Sequence, residues 1–95
     1  MSAYILVDIR VHDPARYERY KQMAEHTVGL YDGRYIARGA RTHVLEGDWE
    51  THRFVMLEFP DAARARAWWA SPEYAEAKAL RHETADSKML LVEGI

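Results

Sequence analysis

The chain has 95 residues, 48% of them hydrophobic and 12% aromatic, with 13 basic and 15 acidic side chains and a formal net charge of −2. This length and composition predict one folded domain over residues 1–95 and argue against intrinsic disorder. The evenly spread charge argues against a nucleic-acid partner, and the lack of cysteine excludes disulfides, thiol catalysis and cysteine-bound metal centres.

The first apolar run is typical of a strand rather than of a leader or a membrane span. Residues 3–11, AYILVDIRV, alternate in polarity and are rich in β-branched side chains. Asp8 and Arg10 interrupt the run, which is too short and too polar for a signal peptide or a membrane helix. We therefore expect a cytoplasmic protein that does not enter a membrane.

A long amphipathic helix is predicted next. Asp13 supplies an N-cap, and Pro14 suits the first helical position. Apolar side chains then recur at helical spacing as far as Tyr31. We expect the helix to end at Asp32–Gly33, with the glycine in the left-handed conformation of a C-terminal cap.

Two extended segments follow the helix. Residues 34–46 are predicted to be extended, with a break or bulge at Gly39. The stretch EGDWET, residues 46–51, is predicted to turn the chain. Residues 52–59, HRFVMLEF, show the clearest strand pattern and are closed by Pro60.

A broken helix and a short strand complete the chain. Asp61 is a cap for the helical segment DAARARAWWA, and Ser71-Pro72 is a second cap, so the helix restarts there at a new angle. Residues 88–94, KMLLVEG, are predicted as the closing strand. The resulting βαββαβ order predicts an α+β, ferredoxin-like sandwich whose second helix is broken in two.

The two faces of the predicted sheet differ in polarity. We expect the first and third strands to lie parallel at its centre, with one apolar face against the helices. That apolar face is predicted to consist of Ile5, Val7, Ile9, Val11, Val55, Leu57, Phe59, Leu90 and Val92. The opposite face mixes apolar and charged side chains and is too apolar to remain in water. A second copy packed sheet to sheet would cover it, which predicts a homodimer with an enclosed, barrel-like cavity.

Asp8 and Glu58 form one candidate acid–base pair. Parallel central strands would place both at the same end of the sheet, and two carboxylates in one cavity push one pKa upward, as proton transfer requires. The alternative is structural, because Arg10 and Arg53 lie nearby in the sequence and would neutralise the two carboxylates across the dimer.

Arg38 and Glu46 form a second candidate pair around the predicted bulge at Gly39. Bulges often re-aim side chains beside functional sites. The planar guanidinium of Arg38 suits a carboxylate or enolate oxygen, and Glu46 would serve as a general base if burial raised its pKa. The alternative is an ion pair at the edge of the sheet.

Three aromatic side chains, Trp68, Trp69 and Tyr74, surround the break in the second helix. Adjacent tryptophans in a helix point about 100° apart, so both cannot face the core equally. We expect one of them to line a pocket mouth or the dimer interface, with ordinary core packing as the alternative.

No metal or cofactor is predicted. The five histidines, His12, His26, His43, His52 and His82, show no helical metal-binding spacing. His43 and His52 are joined by the predicted turn, but two histidines without a third ligand make a poor zinc site. Glycine-rich nucleotide-binding loops and the G-x-S-x-G nucleophile motif are also absent from the sequence.

Several segments, in order, resemble the DUF1330 family, whose function is unknown: DPARYERYK, DGRYIARG, LEGDW, RFVMLEFP, AWWASPEY and VEG. The resemblance spans nearly the whole chain and implies the dimeric α/β-barrel fold. The family pattern falls on Tyr17, Tyr20, Gly33, Arg38, Gly39, Glu46, Gly47, Arg53, Glu58, Phe59, Trp68, Tyr74 and Arg81. Asp32 replaces a glycine usual in the family, and aspartate tolerates the left-handed conformation better than most residues.

Together these features predict a small anionic or carbonyl-bearing organic ligand bound in the cavity between the sheets. As an enzyme, the protein would be a cofactor-free isomerase or monooxygenase, with Arg38 holding negative charge and Glu46 or Glu58 moving the proton. The candidate ligand-binding residues are Asp8, Arg10, Tyr20, Arg53, Trp68 and Tyr74. The alternative is a non-catalytic module for binding a small ligand or another protein.

Overall fold

The computed structural model describes residues 1–95 as a four-stranded antiparallel sheet with three helices. The elements are β1 (Ala3–Val11), α1 (Pro14–Leu30), β2 (Arg34–Ala40), β3 (Arg53–Phe59), α2 (Ala62–Trp69), α3 (Pro72–Thr84) and β4 (Ala85–Glu93). The strands lie in the order β2-β3-β1-β4. This confirms the α+β, ferredoxin-like βαββαβ arrangement and the division of the second helix.

Side-chain caps begin all three helices where the sequence predicts them. Asp13 accepts a hydrogen bond from the Arg16 backbone N–H, and Asp61 accepts one from that of Arg64. Ser71 caps α3 in the same way and also donates its hydroxyl proton to the carbonyl of Trp68. Because Ser71 bonds to both halves, it closes α2 and opens α3 at the break.

The end of α1 differs from the prediction in one residue. Asp32, not Gly33, has the left-handed conformation, with φ of 62°. The N–H groups of Asp32 and Gly33 donate to the carbonyls of Gly29 and Val28, the pattern of a Schellman cap. Gly33 is needed for space, since a Cβ there would lie 2.5 Å from Cε1 of Phe59.

The predicted parallel pairing of the first and third strands is wrong. β1 and β3 are antiparallel, with Tyr4 opposite Glu58 and Asp8 opposite Phe54. The reason lies in the connections: the crossover through α1 brings β2 back parallel to β1, and the return from β2 reverses the chain direction in β3. Asp8 and Glu58 therefore lie toward opposite ends of the sheet.

The predicted orientation of the last strand is also wrong. Leu91 lies opposite Ile5, and Met89 lies opposite Val7, so these two side chains face the helices. Leu90 and Val92 lie on the other face, where 64% and 41% of each is exposed. A strand that is apolar on both sides does not reveal its own orientation, and a register change of one residue exchanges the two faces.

The strand boundaries shift at two places. β2 ends at Ala40, and the residues from 41 to 50 are exposed loop. Its pairing with β3 is irregular between Tyr35 and Ala37 and again between Arg38 and Ala40, which confirms the bulge at Gly39, where φ is 64°. β4 begins at Ala85, three residues before its predicted start.

The core lies between the helices and the sheet face that they cover, here called the inner face. Its β1 and β3 residues are the predicted apolar set: Ile5, Val7, Ile9, Val55, Leu57 and Phe59. Phe59, Trp68 and Tyr74 are almost wholly buried and pack in series, with ring centroids 5.6 and 4.2 Å apart. Each such aromatic side chain contributes about 1.5–3 kcal/mol or more on burial.

No helix combines the length and the apolar character that a membrane-spanning segment needs.

Candidate functional site

A small pocket lies between α1 and the inner face of the sheet, and we call it the helix-side pocket. Its volume is about 20 Å³, enough for a water molecule. The apolar walls come from Val7, Ile9, Val55, Leu57, Trp68 and Met89, and the polar side from Tyr17, Tyr20, Lys21, Tyr35, Arg38 and Arg53. The charged members are all cationic, so the pocket combines apolar walls with positive charge.

Arg53 is the unusual member of this set. It is the first residue of β3 and lies opposite Ile9, so its side chain shares the inner face with apolar neighbours. Its guanidinium lies over the ring of Tyr17, 5.8 Å from the centroid, and its Nε atom is buried without a hydrogen-bond partner. A buried N–H without an acceptor costs about 1–3 kcal/mol, so this atom has an unmet requirement for an acceptor.

The bulge in β2 makes room for that guanidinium. A Cβ at Gly39 would lie 2.6 Å from Nη1 of Arg53, closer than real Cβ contacts come. Gly39 also has the positive φ that disfavours other residues. The glycine in the bulge thus permits both the turn in the backbone and the position of Arg53.

Arg38 lies at the partly exposed side of the pocket. Its Nη1 is 3.2 Å from Oε1 of Glu25 in α1, its Nη2 donates to the carbonyl of Lys21, and its guanidinium stacks over Tyr35 at 4.5 Å. About a third of its side chain is exposed, 31%. The ion pair that Arg38 forms is with Glu25, and Glu46 is not its partner.

Tyr20 and Tyr74 join the pocket to the core. Their hydroxyl oxygens are 2.8 Å apart, and Nε of Arg81 donates to the Tyr74 hydroxyl at 3.4 Å. Arg81 is only 3% exposed, its Nη1 donates to the Ser87 hydroxyl, and it forms no ion pair with a carboxylate. The interior beside the pocket therefore holds a positive charge without an acidic counter-ion.

The tyrosines of the pocket stay protonated at neutral pH. Burial raises the pKa of Tyr17 and, more strongly, the pKa of Tyr20, where Tyr74 raises it further. Burial also raises the pKa of Tyr35 to about 12, against the opposing effect of Arg38. Their hydroxyl groups are neutral hydrogen-bond donors rather than bases.

The candidate carboxylates Asp8 and Glu58 lie on the opposite face of the sheet, here called the outer face. Asp8 accepts a hydrogen bond from the backbone N–H of His52 at 2.7 Å. Glu58 bonds to Arg34 at 2.6 Å, and these hydrogen bonds lower the pKa of its carboxyl. Both carboxylates are paired, but with His52 and Arg34 rather than with Arg10 and Arg53. Arg10 is exposed on the same face, opposite Asp86.

Glu46 lies in the loop after β2 and lines a separate, open groove of about 430 Å³, here called the outer groove. The groove is formed by the loop against Leu6 and Phe54, and its other main members are His43 and Trp49. No group of three or more histidine, aspartate or glutamate side chains is arranged to bind a metal ion.

Only one of the two adjacent tryptophans faces the core, as the helical geometry predicts. Trp68 is 1% exposed, lines the helix-side pocket and donates its Nε1 proton to the Thr27 hydroxyl at 3.0 Å. Trp69 is 45% exposed, and Nζ of Lys78 lies 3.9 Å from its ring centroid.

The structure thus divides the predicted candidates into two groups. Tyr20, Arg38, Arg53 and Trp68 meet at the helix-side pocket, with Tyr74 directly behind Tyr20. Asp8, Arg10, Glu46 and Glu58 lie on the outer face or in the loop beside it. The candidates did not include Tyr17, Lys21, Tyr35 and Arg81. Two signals in the sequence could have indicated a polar site on the helix side. Arg53 is a charged residue on the same side of β3 as the apolar Val55 and Leu57, and Arg81 belongs to the family pattern.

Comparisons with known proteins agree with this architecture. A family model described as a domain of unknown function, DUF1330, matches residues 2–95. No curated protein matches the sequence significantly.

Three similar solved structures illustrate the fold. A protein of unknown function from Rhodopseudomonas palustris has 18% identity and a TM-score of 0.77, over 99% of this chain and 82% of that one. A dimeric ferredoxin-like protein of unknown function from Jannaschia sp. CCS1 has 17% identity and a TM-score of 0.67, over 99% and 100%. SnoaB, a cofactor-independent oxygenase from Streptomyces nogalater, has 17% identity and a TM-score of 0.62, over 99% and 93%. At such identities the likeness shows a shared fold.

Proposed function

The chain belongs to the DUF1330 family, and from this premise and the geometry of the helix-side pocket we propose that the protein binds a small organic anion or carbonyl compound. The observation that carries the proposal is the buried Nε of Arg53, which has no hydrogen-bond partner in a pocket with apolar walls. Small-molecule sites combine such walls with a few polar groups that fix the orientation of the ligand. A ligand oxygen would supply the acceptor that Arg53 lacks.

The polar groups of the pocket favour an anion over other ligands. Lys21 and Arg38 are paired with the exposed Glu18 and Glu25, whereas Arg53 has no carboxylate partner. The tyrosine hydroxyls are neutral donors. Guanidinium groups match the planar geometry of carboxylates and enolates. A cationic ligand would find no carboxylate in the lining.

An organic ligand needs more space than the pocket offers, and Arg38 is the side chain whose movement would provide it. The ion pair that holds it is with Glu25, a residue with 61% of its side chain exposed. Such an ion pair contributes only about 0–1 kcal/mol. The hydrogen bond from Arg38 to the Lys21 carbonyl is long, at 3.5 Å, and its stacking on Tyr35 adds about 0.5–1 kcal/mol, so releasing Arg38 has a modest cost. The binding energy of an anion at Arg53 would offset that cost.

Binding without chemistry is the function that this geometry supports best. The lining contains no carboxylate or histidine to act as a general base. A catalytic function, cofactor-free isomerisation or oxygenation, would depend on the hydrogen-bond donors of the pocket. These arginine and tyrosine groups would stabilise an enolate that forms as the ligand loses a proton. The shared fold with the cofactor-independent oxygenase SnoaB is an analogy that favours testing it.

The outer face supports a second element of the proposal, assembly as a homodimer that forms a dimeric α/β barrel. Leu6, Phe54, Met56, Leu90 and Val92 form an apolar surface there, and the Jannaschia protein of the same fold is described as dimeric. Packing two such faces would close the outer groove into a cavity between the sheets. Glu46 and Glu58 are candidates for chemistry in that cavity, and Asp8 and Arg10 for binding there.

Formate titration followed by NMR tests the proposal. Formate is a planar anion of three heavy atoms, and the Nε–H resonance of Arg53 reports directly on the pocket. We expect a saturable shift of that resonance in the wild-type protein, and its loss in Arg53→Lys, observed through neighbouring backbone amides. Arg66→Met, which removes an exposed arginine of α2, is the matched control. A resonance that does not respond to formate would count against the helix-side pocket as the binding site.

Native mass spectrometry of freshly purified protein addresses the partner and the natural ligand together. A mass near twice 11.1 kDa is expected for the homodimer, with any added mass identifying a co-purified molecule. A protein of 11.1 kDa alone would contradict the homodimer.

A further inference from the structure

The buried cation Arg81 lies behind the helix-side pocket and reaches it through two hydroxyl groups. Arginine has donors only, so the Tyr74 oxygen must accept from Nε of Arg81. The Tyr74 hydroxyl lies 2.8 Å from that of Tyr20, and Tyr20 lines the pocket. The three side chains therefore form a chain from the core to the pocket.

The direction of this chain follows from the protons. If Tyr20 donated to Tyr74, the Tyr74 proton would have no acceptor, because Tyr74 is fully buried and its hydroxyl bonds only to Tyr20 and Arg81. A buried donor without a partner costs about 1–3 kcal/mol. If Tyr74 donates to Tyr20, the free proton is that of Tyr20, which lines a pocket with room for a water or a ligand oxygen to accept it. The proton of Tyr20 is then left free to point into the pocket.

The buried charge of Arg81 favours Tyr74 as the donor to Tyr20. Arg81 has no carboxylate partner, so its charge is not neutralised inside the protein. Its Nε donates to the Tyr74 hydroxyl and so polarises the bond that Tyr74 donates to Tyr20. Burial is the largest cause of the raised pKa of Tyr20, whose hydroxyl therefore keeps its proton at neutral pH.

We infer that Arg81 is a positioning residue that, through Tyr74, holds the Tyr20 hydroxyl as a fixed donor and so selects ligands whose buried end only accepts hydrogen bonds. This inference rests on the proposed binding function and deepens it. The class of ligand is a carboxylate or an enolate-forming carbonyl compound, whose oxygen lies between the Tyr20 hydroxyl and Arg53. Amines and other donor-only groups are excluded.

Formate affinity in Arg81 and Tyr74 variants tests the inference, with the Arg53 Nε–H resonance as the readout. Loss of one hydrogen bond to a charged ligand weakens binding by about tenfold or more. Arg81→Met and Tyr74→Phe are each expected to weaken formate binding to this extent, and Arg81→Lys, which keeps a cation and donors, to recover most of it. Arg66→Met is again the control for loss of one positive charge.

The hydrogen-bonded chain from Arg81 through Tyr74 to Tyr20 is here called the relay. A double-mutant cycle distinguishes the relay from two unrelated structural effects of the Tyr74 and Tyr20 substitutions. We expect Tyr74→Phe to weaken formate binding when Tyr20 is present and to have no further effect in a Tyr20→Phe background. Both changes keep the ring, so this cycle remains available if Arg81→Met does not fold. Equal losses in both backgrounds would overturn the relay.

The two proposals fail in different ways. If wild-type protein does not bind formate, the proposed function fails, and this inference fails with it. If wild-type protein binds formate and the folded Arg81 and Tyr74 variants bind it equally well, only the relay is overturned.

Discussion

The guanidinium of Arg53 occupies the space that a side chain at Gly39 would need: a Cβ at position 39 would lie 2.6 Å from Nη1 of the arginine. The bulge in β2 and the cation in the pocket are therefore one structural unit. A substitution at Gly39 in β2 should therefore change ligand binding at Arg53.

Gly39→Ala should destabilise the protein and weaken formate binding. The left-handed backbone costs alanine about 1–2 kcal/mol, and the new methyl group displaces the Arg53 guanidinium. Gly47→Ala is the matched control, because φ is 82° there and nothing lies within 4 Å of the new Cβ. Urea denaturation should show a loss in both variants, larger for Gly39→Ala, whereas NMR titration should show weaker formate binding only for Gly39→Ala. Equal formate affinity in the two would contradict the coupling.

Gly33→Ala and Gly29→Ala should shift stability in opposite directions. The Cβ at 33 would lie 2.5 Å from Cε1 of the fully buried Phe59, and such overpacking costs about 1–3 kcal/mol. Gly29 lies within α1 with nothing within 4 Å of its Cβ position, so alanine should stabilise by about 0.5–1 kcal/mol. Urea denaturation measures both. Stabilisation by Gly33→Ala would contradict the prediction, because it would mean that the Phe59 ring can move aside without cost.

Tyr74→Phe should destabilise the protein more than Tyr20→Phe. The first change leaves both the Tyr20 hydroxyl and Nε of Arg81 without their partner, at about 1–3 kcal/mol for each unsatisfied group. The second leaves only the Tyr74 proton without its acceptor, because Tyr74 still accepts from Arg81. Tyr31→Phe removes an exposed hydrogen bond to Glu73 and should cost within about 0.5 kcal/mol. Thermal and urea unfolding would give the order, and a reversed order would contradict the central place of Tyr74 between Arg81 and Tyr20.

Glu58→Gln should remove part of the acid sensitivity of folding. Its pKa is lowered in the folded protein, mainly by the hydrogen bond from Arg34, so between the folded and unfolded pKa values the unfolded state binds more protons. The stabilisation is therefore complete above about pH 4.3 and is lost as the pH falls through the folded pKa. The wild-type advantage in urea midpoint should shrink from pH 6 towards pH 3. The exposed residue Glu76 provides the control variant, Glu76→Gln, and a pH-independent difference would contradict the pairing.

Leu90→Glu should dissociate the proposed homodimer. Leu90 is 64% exposed on the apolar outer face of one chain, and a charge buried between two sheets is strongly unfavourable. Leu30→Glu changes a residue that is 50% exposed at the end of α1 and should leave assembly unchanged. Native mass spectrometry distinguishes 11.1 kDa from twice that mass. A Leu90→Glu variant that remains dimeric would place the interface elsewhere.

Local chemistry accounts for the parts of the fold that the sequence predicted well. Asp13, Asp61 and Ser71 begin helices because each side chain bonds to a backbone N–H three residues away. The alternation in β1 and β3 identified their buried sides because each strand has one clearly apolar side. Such signals need only neighbours in the chain.

The sequence named some of the residues that line the helix-side pocket. Arg38, Arg53, Tyr20 and Trp68 were predicted to line a cavity between two sheets, and all four line a pocket on the helix side. The Asp8–Glu58 pair was wrong because it depended on strand direction, which the connection between elements decides. Arg81 had no assigned role, since its partner Tyr74 lies seven residues before it and the next, Tyr20, 54 residues before that.

The sequence by itself determined the order of the elements, their capped starts, the bulge at Gly39 and the membership of the DUF1330 family. Only the tertiary structure decided that β1 and β3 are antiparallel, that Met89 rather than Leu90 faces the helices, and that Arg53 meets Tyr20 in one pocket. The physical reason is range: caps and alternation act between close neighbours along the chain, whereas strand register, burial and unsatisfied hydrogen bonds arise only when distant segments pack together.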